Sequence, residues 1–281
     1  MSRIPRWIPA VVVLPAALWA MEARPVPEPR PPVEGRYIVG NPAGLWFRHD
    51  AAMGLSDSGA AALALAGFQL TFGPGRDHGV AQIAVWDAGL AIEYALHGHG
   101  DDYFLPRSWH LPVVASRLVD TEARQCSGPC TIPIDPPAAG EVFVLRGLRF
   151  ARARERSGVR RFSVRPDPGR GVVHVELSER GASAYRASLQ YAYLPATEVT
   201  AQLRAEASRS AGSGEETLVV SRQEGVAALQ GFSLELAAGA RPLGDLAIVP
   251  SVAGPPAFRV RFNDRDPDEA YAVSIDYVLV R

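Results

Sequence analysis

The side chains able to do chemistry concentrate in two loops and one cysteine pair. In "NDRDPDE", Asp264, Asp266 and Asp268 stand at alternate positions with Glu269 beside them. Alternate oxygens in a tight loop suit a hard cation such as calcium. The glycine and distal glutamate of an EF-hand loop are missing, so a solvated acidic turn is the competing reading. In "HGHGDDY", His97, His99, Asp101 and Asp102 precede Tyr103. Histidines two apart on a strand share a face and with a carboxylate could take zinc or copper, while a polar surface loop is the plain alternative. Cys126 and Cys130, in "CSGPC", are separated by three residues rather than the two of a thioredoxin-type pair. A local disulfide closing a Gly-Pro turn is therefore expected.

Composition removes several other chemistries. Of 29 basic residues every one is arginine, and 30 acids balance them to a net charge of −1. Without lysine there is no Walker A nucleotide site, no Schiff base and no Ser-x-x-Lys pair. Without a basic surplus, nucleic acid is not an expected partner. "GLSDSG" (54–59) lacks the Gly-x-Ser-x-Gly spacing of a nucleophile elbow, which leaves a secreted hydrolase as a third reading.

The elements that must position these loops begin after an unusual leader. Arg3 and Arg6 precede an apolar run of about a dozen residues and then small residues near Ala20, the pattern of a secretory signal peptide over 1–20. Prolines 25, 27, 29, 31 and 32 make 21–35 an extended spacer. The mature chain is then expected in the periplasm or outside the cell, with no helical membrane span.

Beyond the spacer the chain repeats. Stretches beginning near Ala66, Arg146 and Gln230 each open on a marker glycine, Gly67, Gly147 and Gly231, at intervals of 80 and 84 residues. Each closes on a tyrosine (Tyr103, Tyr185, Tyr271) followed six residues later by a ring (Trp109, Tyr191, Tyr277). Between the markers, "FRVRF", "VVHVEL" and "LAIEY" alternate with period two and are divided by Gly/Pro turns. The expected fold is all-β: three tandem small antiparallel β-sandwich modules over 36–115, 116–197 and 198–281. "SGAAALALAG" (58–67) has helical propensity, yet its place before the marker glycine makes it a strand. A transmembrane β-barrel is disfavoured by the low aromatic content of 8% and by strands as charged as "RRFSVRPD".

The order of a strand entering Gly-Phe, a Phe-x-Val-x-Phe strand, an acidic loop, a tyrosine and a terminal aromatic strand resembles H-type lectin domains. That resemblance implies six-stranded sandwiches, trimeric packing (here a covalent pseudo-trimer) and galactosamine-type sugar binding near the loop before the tyrosine. The tryptophan and Asp-Thr pair that the family carries in that loop are missing from all three copies. The functional expectation is an exported, non-catalytic protein that binds a glycan or a surface protein. Its ligand contacts would come from His97, His99, Asp101, Asp102, Tyr103 and Tyr271, with calcium at Asp264, Asp266 and Asp268. A periplasmic structural or protein-interaction module using exposed strand edges is the alternative.

Overall fold

"VVHVELS" shows how local sequence becomes strand in this protein. Val173, Val175 and Leu177 are buried and His174 between them is exposed, as a pleated strand with one covered face requires. The computed structural model describes residues 38–40, 47–50, 61–72, 82–87, 91–97, 104–152, 159–178, 184–209, 216–219, 225–237, 245–251, 256–262 and 270–281, all within the unit Pro31–Arg281. Among the described residues there is no α-helix, only 3-10 turns at Pro168–Arg170 and Ala196–Glu198. No helix among them is long and apolar enough to cross a membrane.

The strands are β1 (Ile38–Gly40), β2 (Phe47–Asp50), β3 (Ala61–Phe72), β4 (Gln82–Asp87), β5 (Ala91–His97) and β6 (Phe104–Val114). Then come β7 (Arg117–Asp120), β8 (Arg124–Ser127), β9 (Cys130–Pro133), β10 (Glu141–Arg152), β11 (Arg161–Asp167), β12 (Val172–Ser178) and β13 (Ala184–Pro195). The last are β14 (Val199–Arg209), β15 (Glu216–Val219), β16 (Val226–Leu236), β17 (Asp245–Pro250), β18 (Ala257–Phe262) and β19 (Tyr271–Val280).

These strands form three antiparallel sheets. The first runs β1-β6-β3-β17-β18-β15, the second β2-β5-β4-β10-β13-β7 with β8 also on β13, and the third β14-β19-β16-β11-β12-β9. Each sheet is therefore built from two stretches of chain. A long pair (β3/β6, β10/β13 or β16/β19) supplies one half, and shorter strands from a different stretch complete it.

The marker glycines stand where the halves join. Every long pair shifts register at its glycine, between Leu65 and Gly67, Leu145 and Gly147, and Leu229 and Gly231. A Cβ on Gly67 would lie 2.5 Å from Pro250 Cδ and one on Gly231 2.5 Å from Pro166 Cδ, each also against a backbone carbonyl oxygen of the neighbouring strand. On Gly147 a Cβ would meet Gln190 Oε1 at 2.6 Å and Val85 O at 2.8 Å. Glycine is required there because a strand from another stretch passes too close for a side chain.

The same registers revise the ring alignment expected for the first stretch. Leu145 faces Tyr191 and Leu229 faces Tyr277, but Leu65 faces His110, not Trp109. Phe104 likewise holds the place of Tyr185 and Tyr271, opposite Phe72, Arg152 and Leu236 respectively. A one-residue slip sends a strand's side chains to the opposite face, so Trp109 packs in a different cluster from Tyr191 and Tyr277.

Two apolar clusters hold the sheets together. In the larger, Phe68, Phe232, Phe162 and Phe150 follow one another at ring separations of 5.6, 5.1 and 5.0 Å, joining the first, third and second sheets. The smaller takes Ala62, Ala64 and Ala66 from β3, Val142 and Val144 from β10, and Ala228 from β16. Leu63 and Leu65 meanwhile face the larger cluster. The alanine-rich segment is thus a strand covered on both faces, which explains its unbroken apolar run.

Candidate functional site

The cysteine pair marks the most sharply defined site among the described residues. Cys126 lies one residue before the end of β8, in the second sheet, and Cys130 opens β9, in the third. They form a disulfide with Cα atoms 5.6 Å apart, so the bridge pins the edges of two sheets together. Tyr185 supports it from beneath. Its buried hydroxyl lies 2.9 Å from the Gly128 carbonyl oxygen in the turn and 3.0 Å from that of Val175 on β12, sharing one proton between them. Burial pushes the Tyr185 phenol up to about 12, so it remains a donor.

Over this turn opens a cleft of about 450 Å³. Arg124, Gln125 and Ser127 come from one wall, and the outer side chains of β9, β11 and β12 form the other. Strand register arranges that second wall in rows, with Arg165 opposite His174 and His174 opposite Thr131, then Ser163 opposite Glu176. Arg161 is held by two carboxylates. Glu235 accepts a charge-assisted bond from it, Glu176 accepts another at 3.2 Å, and the two carboxylates raise its pKa further. Arg165 donates to Ser233 Oγ at 2.9 Å, and Arg124 has no acidic partner among the described residues. The lining can therefore offer cationic and hydroxyl hydrogen bonds to a polar ligand.

No protein-family model and no curated protein sequence matches this chain.

A second cleft, of about 470 Å³, lies on the other side of Arg124 and is lined by Asp120, Glu122, Asp135 and Tyr191. Asp120 is occupied, accepting from Arg146 at 3.4 Å and from Gln190 at 3.1 Å. The backbone N–H of Asp135 donates to Tyr191 Oη, and the Asp135 carbonyl oxygen accepts from Tyr193.

Of the residues singled out from sequence, Cys126 and Cys130 come together as expected. His97 is the last residue of β5. His99, Asp101, Asp102, Tyr103, Asp264, Asp266 and Asp268 lie outside the described residues. Tyr271 is 1% exposed, and its hydroxyl donates to the Val260 carbonyl oxygen at 2.9 Å, so its ring belongs to the core. Tyr191 and Tyr277 are buried likewise, while Trp86 is half-buried beneath the Arg149 guanidinium at 4.6 Å. Among the described residues no group of three or more His, Cys, Asp or Glu could hold a metal ion.

Sequence reasoning passed over the cleft because its residues are spread over 124–176. The alternation of "RFSVRPD" and "VVHVEL" was the available signal, since it puts Arg161, Ser163 and Arg165 on one face and His174 and Glu176 on another. Only the pairing of β11 with β12 makes these one surface.

Proposed function

We propose that this is an exported, non-catalytic binding protein, a rigid β-scaffold that recognises a glycan or another cell-surface ligand. The observation that carries the reading is the polar cleft held between two sheets by the Cys126–Cys130 bridge, lined by arginine, glutamine, serine, threonine and histidine. Such convergent polar groups on strands whose inner faces are packed make a preorganised recognition surface. The disulfide is compatible with an oxidising compartment, which agrees with the signal-like leader.

The scaffold is read as three copies of one six-strand unit closed into a covalent pseudo-trimer. Supporting this, every sheet has the same succession, a flanking strand, a long pair with a glycine bulge, then three shorter strands from another copy, with β8 as one additional strand on the second sheet. The registers agree too, for Phe68 faces Ile248, Leu148 faces Val85 and Phe232 faces Val164, each directly after the glycine. Six strands per unit and three units are what the resemblance to H-type lectins implies. The ligand-bearing loops before Tyr103 and Tyr271, including the calcium reading of Asp264, Asp266 and Asp268, form part of this proposal.

One observation favours the protein-interaction alternative. β14 is an eleven-residue edge strand of the third sheet, with Leu203 exposed on it, and such an edge can accept a partner's strand. A glycan array probed with the purified protein separates the two. Retention of a defined glycan subset, competed by the same glycans in solution, is expected. An array without specific retention, together with a partner interaction abolished by Ala205→Pro in β14, would replace the glycan reading with the interaction one.

A further inference from the structure

We infer that the cleft over the Cys126–Cys130 turn takes an acidic saccharide, a sugar chain carrying carboxylate or sulfate groups; this rests on the binding reading above and names the ligand class of its cleft. The argument is one of charge balance. Arg124, Arg161 and Arg165 line the cleft against a single carboxylate, Glu176. That carboxylate is already held by Arg161, which also engages Glu235. Arg165 bonds only a neutral hydroxyl, that of Ser233, and Arg124 meets no acid among the described residues. Two guanidinium forks therefore face the opening without a counter-charge in the described wall, and their planar paired donors match the oxygens of a carboxylate or sulfate.

The neighbours of these arginines favour a sugar over a bare anion. Arg165, His174 and Thr131 form one cross-strand row on β11, β12 and β9, which sets a ring nitrogen and a hydroxyl beside the guanidinium. Sugar hydroxyls both donate and accept, so mixed donors and acceptors next to a cation suit them. The opening is also specific to this sheet. At the positions of Ser163 and Arg165, flanking Val164, the second sheet has Ala84 and Trp86 around Val85, and the first has Ala247 and Val249 around Ile248. One cleft per chain is expected.

Titration of the full chain with heparin, polygalacturonate and neutral dextran tests this. Heparin and polygalacturonate should bind with an affinity that falls as salt rises, and dextran should not bind. Arg124→Ala combined with Arg165→Ala should weaken binding of the acidic polymers at least tenfold at an unchanged melting temperature. Arg170→Ala, at an exposed position outside the cleft, should leave binding as it was. Equal binding by the double variant, equal binding of dextran, or no binding of either acidic polymer would overturn the inference. Glycans retained on the array but indifferent to the double variant would remove the acidic-saccharide cleft and leave the binding reading standing.

Discussion

His110 occupies a position where the other long pairs carry a tyrosine, and its chemistry differs accordingly. It is 1% exposed, its Nε2 is 2.8 Å from Ser108 Oγ, and its Nδ1 has no partner among the described residues. Burial, aided by the nearby Arg146 charge, lowers its pKa from 6.5 to about 3, so the folded protein holds a neutral imidazole. The unfolded chain binds the proton near pH 6.5 and the folded chain does not until about 3. The contribution to stability is therefore complete above the unfolded pKa and is lost as pH falls through that interval, by at most about 1.4 kcal/mol per pH unit. Urea unfolding at pH 7.5, 6 and 5 should show this slope in the parent protein and a shallower one in His110→Phe. Parallel slopes would mean that the imidazole takes up its proton in the fold as readily as in the unfolded chain.

At the scale of the element, the glycine bulges decide whether the sheets can be completed. Adding a methyl group at Gly231 drives it into Pro166 and the Val164 carbonyl oxygen, both on β11. Backbone cannot yield as a side-chain tip does, so Gly231→Ala should cost about 1–3 kcal/mol, the range for overpacking. Gly169, in the exposed turn before β12, has its nearest such contact at 3.8 Å, and Gly169→Ala should stay within about 0.5 kcal/mol. Chemical denaturation of the two variants side by side gives the comparison, and equal stabilities would show that β11 can move away from the bulge. Gln230, just before the same glycine, strengthens the junction by donating to the Phe143 carbonyl oxygen on β10 at 2.8 Å.

At the scale of the whole molecule, sheets shared between stretches imply one unfolding event. β4 and β5 complete a sheet begun by β10, and β11 and β12 complete one begun by β16. No stretch can then lose its strands without opening an edge in a sheet belonging to another. Calorimetry on Pro31–Arg281, the compact unit, should give a single transition with equal calorimetric and van't Hoff enthalpies. Two or three resolved transitions would mean that the stretches are energetically separate domains.

Period-two alternation, turn residues and a cysteine pair across Gly-Pro are local properties. They were enough to determine from the sequence that the described chain is all-β and that Cys126 bonds to Cys130, whereas 61–67 was read as strand from its place before the marker glycine and against its helical propensity. The marker glycines were legible as positions, but their reason was not, because the atoms excluding a side chain belong to strands about 181, 62 and 67 residues away from Gly67, Gly147 and Gly231 respectively. The ring register of β6 also escaped the sequence: Trp109 and His110 are adjacent, and only pairing with β3 decides which one stands opposite Leu65. For the same reason Tyr271, expected among the ligand contacts, has its ring in the core. The cleft is the extreme case, since Arg124, Arg165 and His174 share a surface only after β8 has joined the second sheet and β11 and β12 the third. Alternation tells a strand which face is buried; which strand lies beside it, and so which side chains meet, is set by long-range pairing that no local pattern encodes.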